Sequence, residues 1–178
     1  MIRHGEAAAD WGSHTDPGLS DRGRVQAEAA AEEMDKRASQ KLSILSSPLL
    51  RCRETAAPLA RSWDRDVTIE QRVSEISSPT ENVGERRVWL RSIAGGIWSA
   101  VPDLLAWRRS VIASLLTLQQ DTVIFSHYVA INVAMGAALS DDRIVCFRPD
   151  NGSITVFETE GSSLILIERG QEADTVVN

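Results

Sequence analysis

Thr122-Val123-Ile124-Phe125-Ser126-His127 runs apolar and β-branched as far as Phe125 and then turns polar. A stretch of this kind reads as a strand buried on both faces whose carboxyl end delivers a polar side chain. Residues 42–45 repeat the pattern, an apolar run stopped by Ser46-Ser47-Pro48, and Leu49-Leu50-Arg51 opens the next element. At the start of the chain, Ile2-Arg3-His4-Gly5-Glu6 has the form of a third strand end. Helices are expected between these runs. Residues 20–38 begin at Ser20, a good N-cap, and continue through an Ala/Glu-rich stretch to Met34. Residues 50–63 and 128–139 form two more. Leu104, Leu105, Trp107, Val111, Ile112, Leu115 and Leu118 recur at helical spacing, and residues 67–69 suit a short strand. Alternating strand and helix predicts an α/β fold, a three-layer α/β/α sandwich around a mostly parallel sheet. Residues 144–147, 154–157 and 164–167 are expected as short strands joined by turns at Asn151-Gly152 and Gly161, giving antiparallel C-terminal edge strands.

Composition narrows the function classes. The 178 residues, 43% of them apolar, can build one substantial core, and with no repeat or linker the whole of 1–178 is expected to form a single domain. A net charge of −6 with mixed signs leaves no basic stripe for a nucleic acid. No apolar run approaches the roughly 18 residues of a membrane span, and the N-terminus has no signal-like core, so a cytoplasmic protein is expected with neither membrane nor nucleic acid as partner. Cys52 and Cys146 are isolated and read as buried or partly buried thiols, not as a disulfide or metal site.

The three strand ends carry the chemistry. Ligands of open α/β sheets bind beyond the carboxyl ends of the strands, so Arg3, His4, Arg51 and His127 are expected to converge on one pocket. Two guanidinium groups and two imidazoles suit a tetrahedral dianion, and a neutral imidazole nitrogen can attack phosphorus. A group must then protonate the leaving oxygen. Glu75, after the strand at 67–69, is the candidate, with Glu6, Glu81 and Glu85 as substitutes.

These residues resemble a known family. Ile2-Arg3-His4-Gly5-Glu6, then Asp16-Pro17-Gly18-Leu19-Ser20 with Gly23 and Gln26-Ala27, resembles the opening of the histidine phosphatase superfamily, which also contains the phosphoglycerate mutases. Ser47-Pro48-Leu49-Leu50-Arg51 with Glu54-Thr55-Ala56 is similar to its second motif, and Glu75 and Ser126-His127 follow in order. The resemblance implies a phosphoglycerate mutase-like fold and a phosphatase acting on phosphate monoesters or phosphohistidine. It implies His4 as nucleophile, Arg3, Arg51 and His127 as the phosphate clamp, Glu75 as acid and base, and no metal or other cofactor. Its substrate would be a small phosphorylated molecule or a phosphoprotein. A phosphoglycerate-type mutase and a catalytically weak phosphate-binding regulatory domain are the alternatives. Ala7, Ala8, Ala9 and Asp10 replace the serine and asparagine usual in the mutase branch, and Tyr128, Val129 and Asn132 replace the usual glycines and arginine after the second histidine. Only Met1 and Ile2 precede the first motif where the family has a longer central strand, so a further upstream segment is expected.

Other residues have competing readings. His14 is a solvated loop residue or part of the pocket rim, which would also take in Glu6 and Tyr128. Arg86, Arg87 and Arg91, with Trp89 and Trp98, either bind a second anionic group or form a solvated helix face with the tryptophans turned inward; the second reading is preferred. Asp64-Arg65-Asp66-Val67-Thr68 matches the Asp-x-Asp-x-Thr signature of aspartyl-phosphate enzymes, but a helix end precedes it instead of a strand. A cysteine phosphatase needs an arginine where Pro58 and Gly152 follow Cys52 and Cys146.

Overall fold

A computed structural model describes residues 1–9, 15–80 and 82–173. Strands β1 (Ile2–Arg3), β2 (Ser43–Ser46), β3 (Val67–Ile69) and β4 (Thr122–Ser126) make a parallel sheet in the order β1-β4-β2-β3. Ile2 lies opposite Phe125, and Ile44 opposite both Val123 and Val67. Among the described residues five α-helices accompany the sheet: α1 (Asp21–Arg37), α2 (Leu50–Trp63), α3 (Val83–Ala94), α4 (Leu105–Leu116) and α5 (Tyr128–Leu139). Side chains alternate along a strand, so each strand feeds two layers. Ile2, Ile44, Val123 and Phe125 meet Ala30, Ala31 and Met34 of α1 and Ala56 and Leu59 of α2. Leu45 and Ile124 turn the other way, to Leu115 of α4 and Ala134 of α5. The result is the three-layer α/β/α sandwich expected from the pattern.

Local chemistry sets the boundaries. Ser20 caps α1 by accepting from Gly23 N at 3.0 Å, which satisfies one of the amides the helix start leaves open. At the end of α2, Asp64 adopts φ 50°, so the aspartate of the Asp-x-Asp-x-Thr match is a helix C-cap. From Val129 through Gly136 every residue of α5 is buried, which makes it the interior helix of its layer.

Two expectations about strands need correction. Residues 144–147 form no strand, because the Asn132 carboxamide of α5 accepts from both Cys146 N and Phe147 N at 2.9 Å, and those amides have no ladder to join. The remaining two segments form an antiparallel hairpin, β5 (Val156–Glu160) and β6 (Ser163–Glu168), turned at Gly161 with φ 60°. Further, β1 is outermost of the four parallel strands, not central. Its free side is met by an antiparallel bridge from Ile2 to Ile154 and by Arg3 N donating to Ser153 O, which ties the hairpin segment to the sheet edge. No helix among the described residues is long and apolar enough to cross a membrane.

Candidate active site

The strand ends expected to converge do so. His4 N donates to Ser126 O and Ser47 N to Phe125 O, each at 3.0 Å, so the backbones leaving β1 and β2 stay stitched to β4 for one more residue. That register sets His4, Ser47 and His127 side by side, with Arg51 entering from the first turn of α2. The loop after β1 is held just as closely. Gly5 N donates to the Thr55 hydroxyl at 3.0 Å, and Asn151 donates to His4 O at 2.8 Å. A Cβ on Gly5 would lie 2.4 Å from Gly23 O, so only glycine lets this loop rest against the start of α1.

Arginine donates and never accepts, and this fixes both imidazoles. Arg51 Nε donates to His4 Nε2 at 3.2 Å, so Nε2 carries a lone pair and the ring proton is on Nδ1, donated to Gly5 O at 2.7 Å. Arg51 also faces His127 Nδ1 at 3.2 Å, which makes that nitrogen the acceptor and puts the His127 proton on Nε2, 2.7 Å from the Ser47 hydroxyl. The two rings meet edge to face with centroids 5.2 Å apart. Burial, then the Arg51 guanidinium, holds both histidines well below the ordinary imidazole value, so both are neutral. The arginines remain cationic. Arg3 donates to Pro149 O at 2.8 Å, stacks over Tyr128 at 5.1 Å, and keeps a buried Nε with no partner among the described residues. Asp16 lies 3.8 Å from Arg51 and accepts from Leu50 N, steadying the helix start that carries the guanidinium.

Glu75 is buried 6% exposed, after the single turn Gln71–Val73 that separates it from β3. Its two oxygens accept from Ile76 N at 3.0 Å and Val129 N at 3.3 Å, which aims the carboxyl at the start of α5 beside His127. Burial raises its pKa above the usual carboxylate range, against the pull of the two amides, Arg51 and Arg3. A cavity of about 250 Å³ opens beside Arg51 and Glu75, lined also by Gln71, Ser74, Ser77 and Arg86 among others, whereas the buried Arg3, His4 and His127 are not part of its lining. The site thus combines two fixed cations, two neutral imidazoles and a carboxyl biased toward its protonated form. That set can bind a dianion, attack it and release a proton to the departing group.

The rim is only partly as expected. Arg86 lines the cavity, and among the described residues nothing pairs with its guanidinium. Arg91 is exposed on α3 away from the cavity lining, while Trp98 is fully buried against Trp107 and Trp89 packs on the same cluster, as in the reading with tryptophans turned inward. Glu6 is no rim residue and no substitute acid: Ser20 Oγ donates to it at 2.7 Å and Arg22 is 3.7 Å away, so it belongs to the cap of α1. Glu85 accepts from the Thr80 hydroxyl and is likewise off the cavity. Tyr128 lies over Arg3 and does not line the cavity. Asn132 is a buried backbone clamp and makes no contribution to the pocket. His14, Glu81 and the Arg87 side chain lie outside what is described. Ser47, Thr55 and Asn151 also touch this cluster, through His127, Gly5 N and His4 O. Only their distance from the histidines in the fold, invisible in a linear pattern, marks them.

Residues 1–81 match the model of the histidine phosphatase superfamily (branch 1). Over 79 residues the chain is 43% identical to a glucosyl-3-phosphoglycerate phosphatase of Mycolicibacterium vanbaalenii, a stretch that is 42% of this chain and 34% of that relative, so the match spans about a third of the relative's length. Three solved structures share the fold. A phosphoserine phosphatase from Entamoeba histolytica, in complex with 3-phosphoglyceric acid, superposes with a TM-score of 0.72 at 22% identity, covering 97% of this chain and 95% of that one. A mycobacterial glucosyl-3-phosphoglycerate phosphatase complexed with VO3 gives 0.65 at 25%, covering 93% and 94%. Bacillus stearothermophilus YhfR gives 0.75 at 17%, covering 97% and 96%.

Proposed function

From a first half that carries the signature of the histidine phosphatase superfamily, on a fold shared with its phosphatases, we propose that this chain hydrolyses phosphate monoesters through a phosphohistidine on His4. The observation that carries the proposal is the His4 ring. Its Nδ1–H is committed to Gly5 O, its Nε2 lone pair faces the Arg51 guanidinium, and burial beside two guanidiniums keeps it unprotonated. His4 Nε2 attacks phosphorus while Arg3, Arg51 and His127 bind the equatorial oxygens, whose charge the guanidiniums offset. The P–O bond to the leaving group breaks as Glu75 gives it a proton. The resulting carboxylate then takes a proton from water, which attacks the phosphohistidine, returns the electron pair to Nε2 and releases inorganic phosphate.

Arg86 narrows the substrate class. A half-buried guanidinium on the cavity wall, without a partner among the described residues, suits a second anion on the same molecule, such as the carboxylate of a phosphorylated hydroxy or amino acid. The relatives named above, a glucosyl-3-phosphoglycerate phosphatase and a phosphoserine phosphatase, fit such a class. The test is steady-state hydrolysis in excess EDTA of phosphoserine, 3-phosphoglycerate and 4-nitrophenyl phosphate by the parent chain, His4→Ala and Arg86→Ala. The reading requires activity that survives EDTA and disappears with His4. Arg86→Ala should raise KM about tenfold or more for the carboxylate substrates, the worth of one charged hydrogen bond, and leave the aryl phosphate near its parent value. Activity independent of His4 rejects the mechanism, and equal effects on all three substrates reject the second anion.

A further inference from the structure

Resting on the phosphatase reading, we propose that Tyr128 is a positioning residue for the phosphate clamp: its ring is the platform that fixes the Arg3 guanidinium before the anion arrives. A guanidinium donates only in its own plane, and its two faces carry no donor. An aromatic ring on one face therefore restrains the group without using up any of its hydrogen bonds. Arg3 Cζ lies 5.1 Å from the centre of the Tyr128 ring, within the range of a cation–π contact. In the plane, Nη1 donates to Pro149 O at 2.8 Å, and the buried Nε has no partner among the described residues. One donor is thus anchored and one face covered, and the Nε–H is left for a phosphate oxygen.

The platform is itself held. Tyr128 is the first residue of α5, directly after His127, and packs on the apolar cluster that contains Ile76, Val129, Ala130 and Val133. Its carbonyl accepts from the Asn132 side chain at 2.9 Å. The ring does not line the cavity, so it acts on an anion through Arg3. Arg3 ends the edge strand β1 and is only 8% exposed, a setting in which a cation–π contact is worth more than at an open surface. Without that support the long side chain would spread over several rotamers. The apparent affinity for a dianion would then fall by the fraction of time that Arg3 spends out of place.

The experiment is calorimetric titration of inorganic phosphate into the intact chain at pH 8, with hydrolysis of 4-nitrophenyl phosphate followed alongside and folding checked by the melting transition of each variant. Tyr128→Leu, or Tyr128→Met should the leucine variant not fold, keeps apolar bulk without a π face and should bind phosphate about five- to tenfold more weakly. Tyr128→Phe keeps the ring and should stay within about twofold of the parent. Val133→Ala thins the same cluster farther along α5, and should lower the melting temperature while phosphate affinity holds. Phosphate binding at parent strength by the folded leucine or methionine variant overturns the platform. So does a Tyr128→Phe that falls as far as Tyr128→Leu, or a Val133→Ala that falls with them. Each of those results, with hydrolysis by the parent intact, leaves the phosphatase reading standing. The expected pattern of phosphate binding without hydrolysis by the parent overturns the phosphatase reading and keeps the platform. Absence of phosphate binding by a folded parent overturns both.

Discussion

Replacing Glu75 by glutamine removes a proton and almost nothing else. The side chain is buried and held by Ile76 N and Val129 N, so the amide occupies the same volume with at most one of those acceptors lost. What disappears is the transferable proton. General acid catalysis is worth about 10²–10⁴ in rate, or roughly 2.7–5.4 kcal/mol of barrier, when the leaving group is a poor one. The assay is kcat/KM, which reports transfer of phosphate to the enzyme, for an alkyl phosphate such as phosphoserine and for 4-nitrophenyl phosphate. The alkyl ester should lose the full factor. The nitrophenolate departs without a proton, so its loss should stay within about tenfold. Equal losses on the two substrates, or an alkyl loss under about tenfold, would refute Glu75 as the acid. Stability supplies an independent check. Burial raises the folded pKa of Glu75, so its contribution is fully present below the ordinary carboxylate value of 4.5 and is lost as pH rises through the folded value. The Tm of Glu75→Gln relative to the parent should therefore climb between pH 4 and 8.

The two histidines give the opposite sign. Their folded pKa values are depressed, so the stability they contribute is present above the ordinary value of 6.5 and lost as pH falls below it; Tm should drop on acidification through that window, and much less in a His4→Gln, His127→Gln double variant. Gly5→Ala places a methyl 2.4 Å from Gly23 O, backbone against backbone, and should cost about 1–3 kcal/mol in urea unfolding together with most of the activity, because the loop that carries His4 must shift. Asn132→Ala leaves two backbone amides near Phe147 without an acceptor and should destabilise by roughly 2–4 kcal/mol, with KM unchanged because the residue makes no contribution to the cavity wall.

Much of this architecture is legible in the sequence because it is set locally. Ser20 announces α1, Ser46-Ser47-Pro48 stops β2, and the run to Phe125 can only be an interior strand, so the three strand ends and their Arg and His side chains follow from pattern alone. Residues 144–147 look like a strand for the same reasons. They are not one, because a single side chain fourteen positions upstream of Cys146 takes their amides, and no periodicity encodes that. Glu6 and Arg91 are polar residues placed near the motifs in sequence, but the cap of α1 and the outward face of α3 claim them. Ser47 reads as a turn residue, whereas its contact to His127 spans 80 positions. The edge position of β1 is equally non-local, set by how β4 pairs with β2 and by the return of Ile154.

The most direct test is rapid acid-free quenching of the chain during turnover of a phosphate ester, followed by intact-mass and peptide mass spectrometry in parallel with its His4→Ala variant. The account predicts a single phosphate on the parent, stable to base, labile to acid and mapped to His4, absent from the variant and formed no more slowly than turnover. Turnover by the parent with no phosphoenzyme detectable at any quench time, or with the phosphate on another residue, would contradict it.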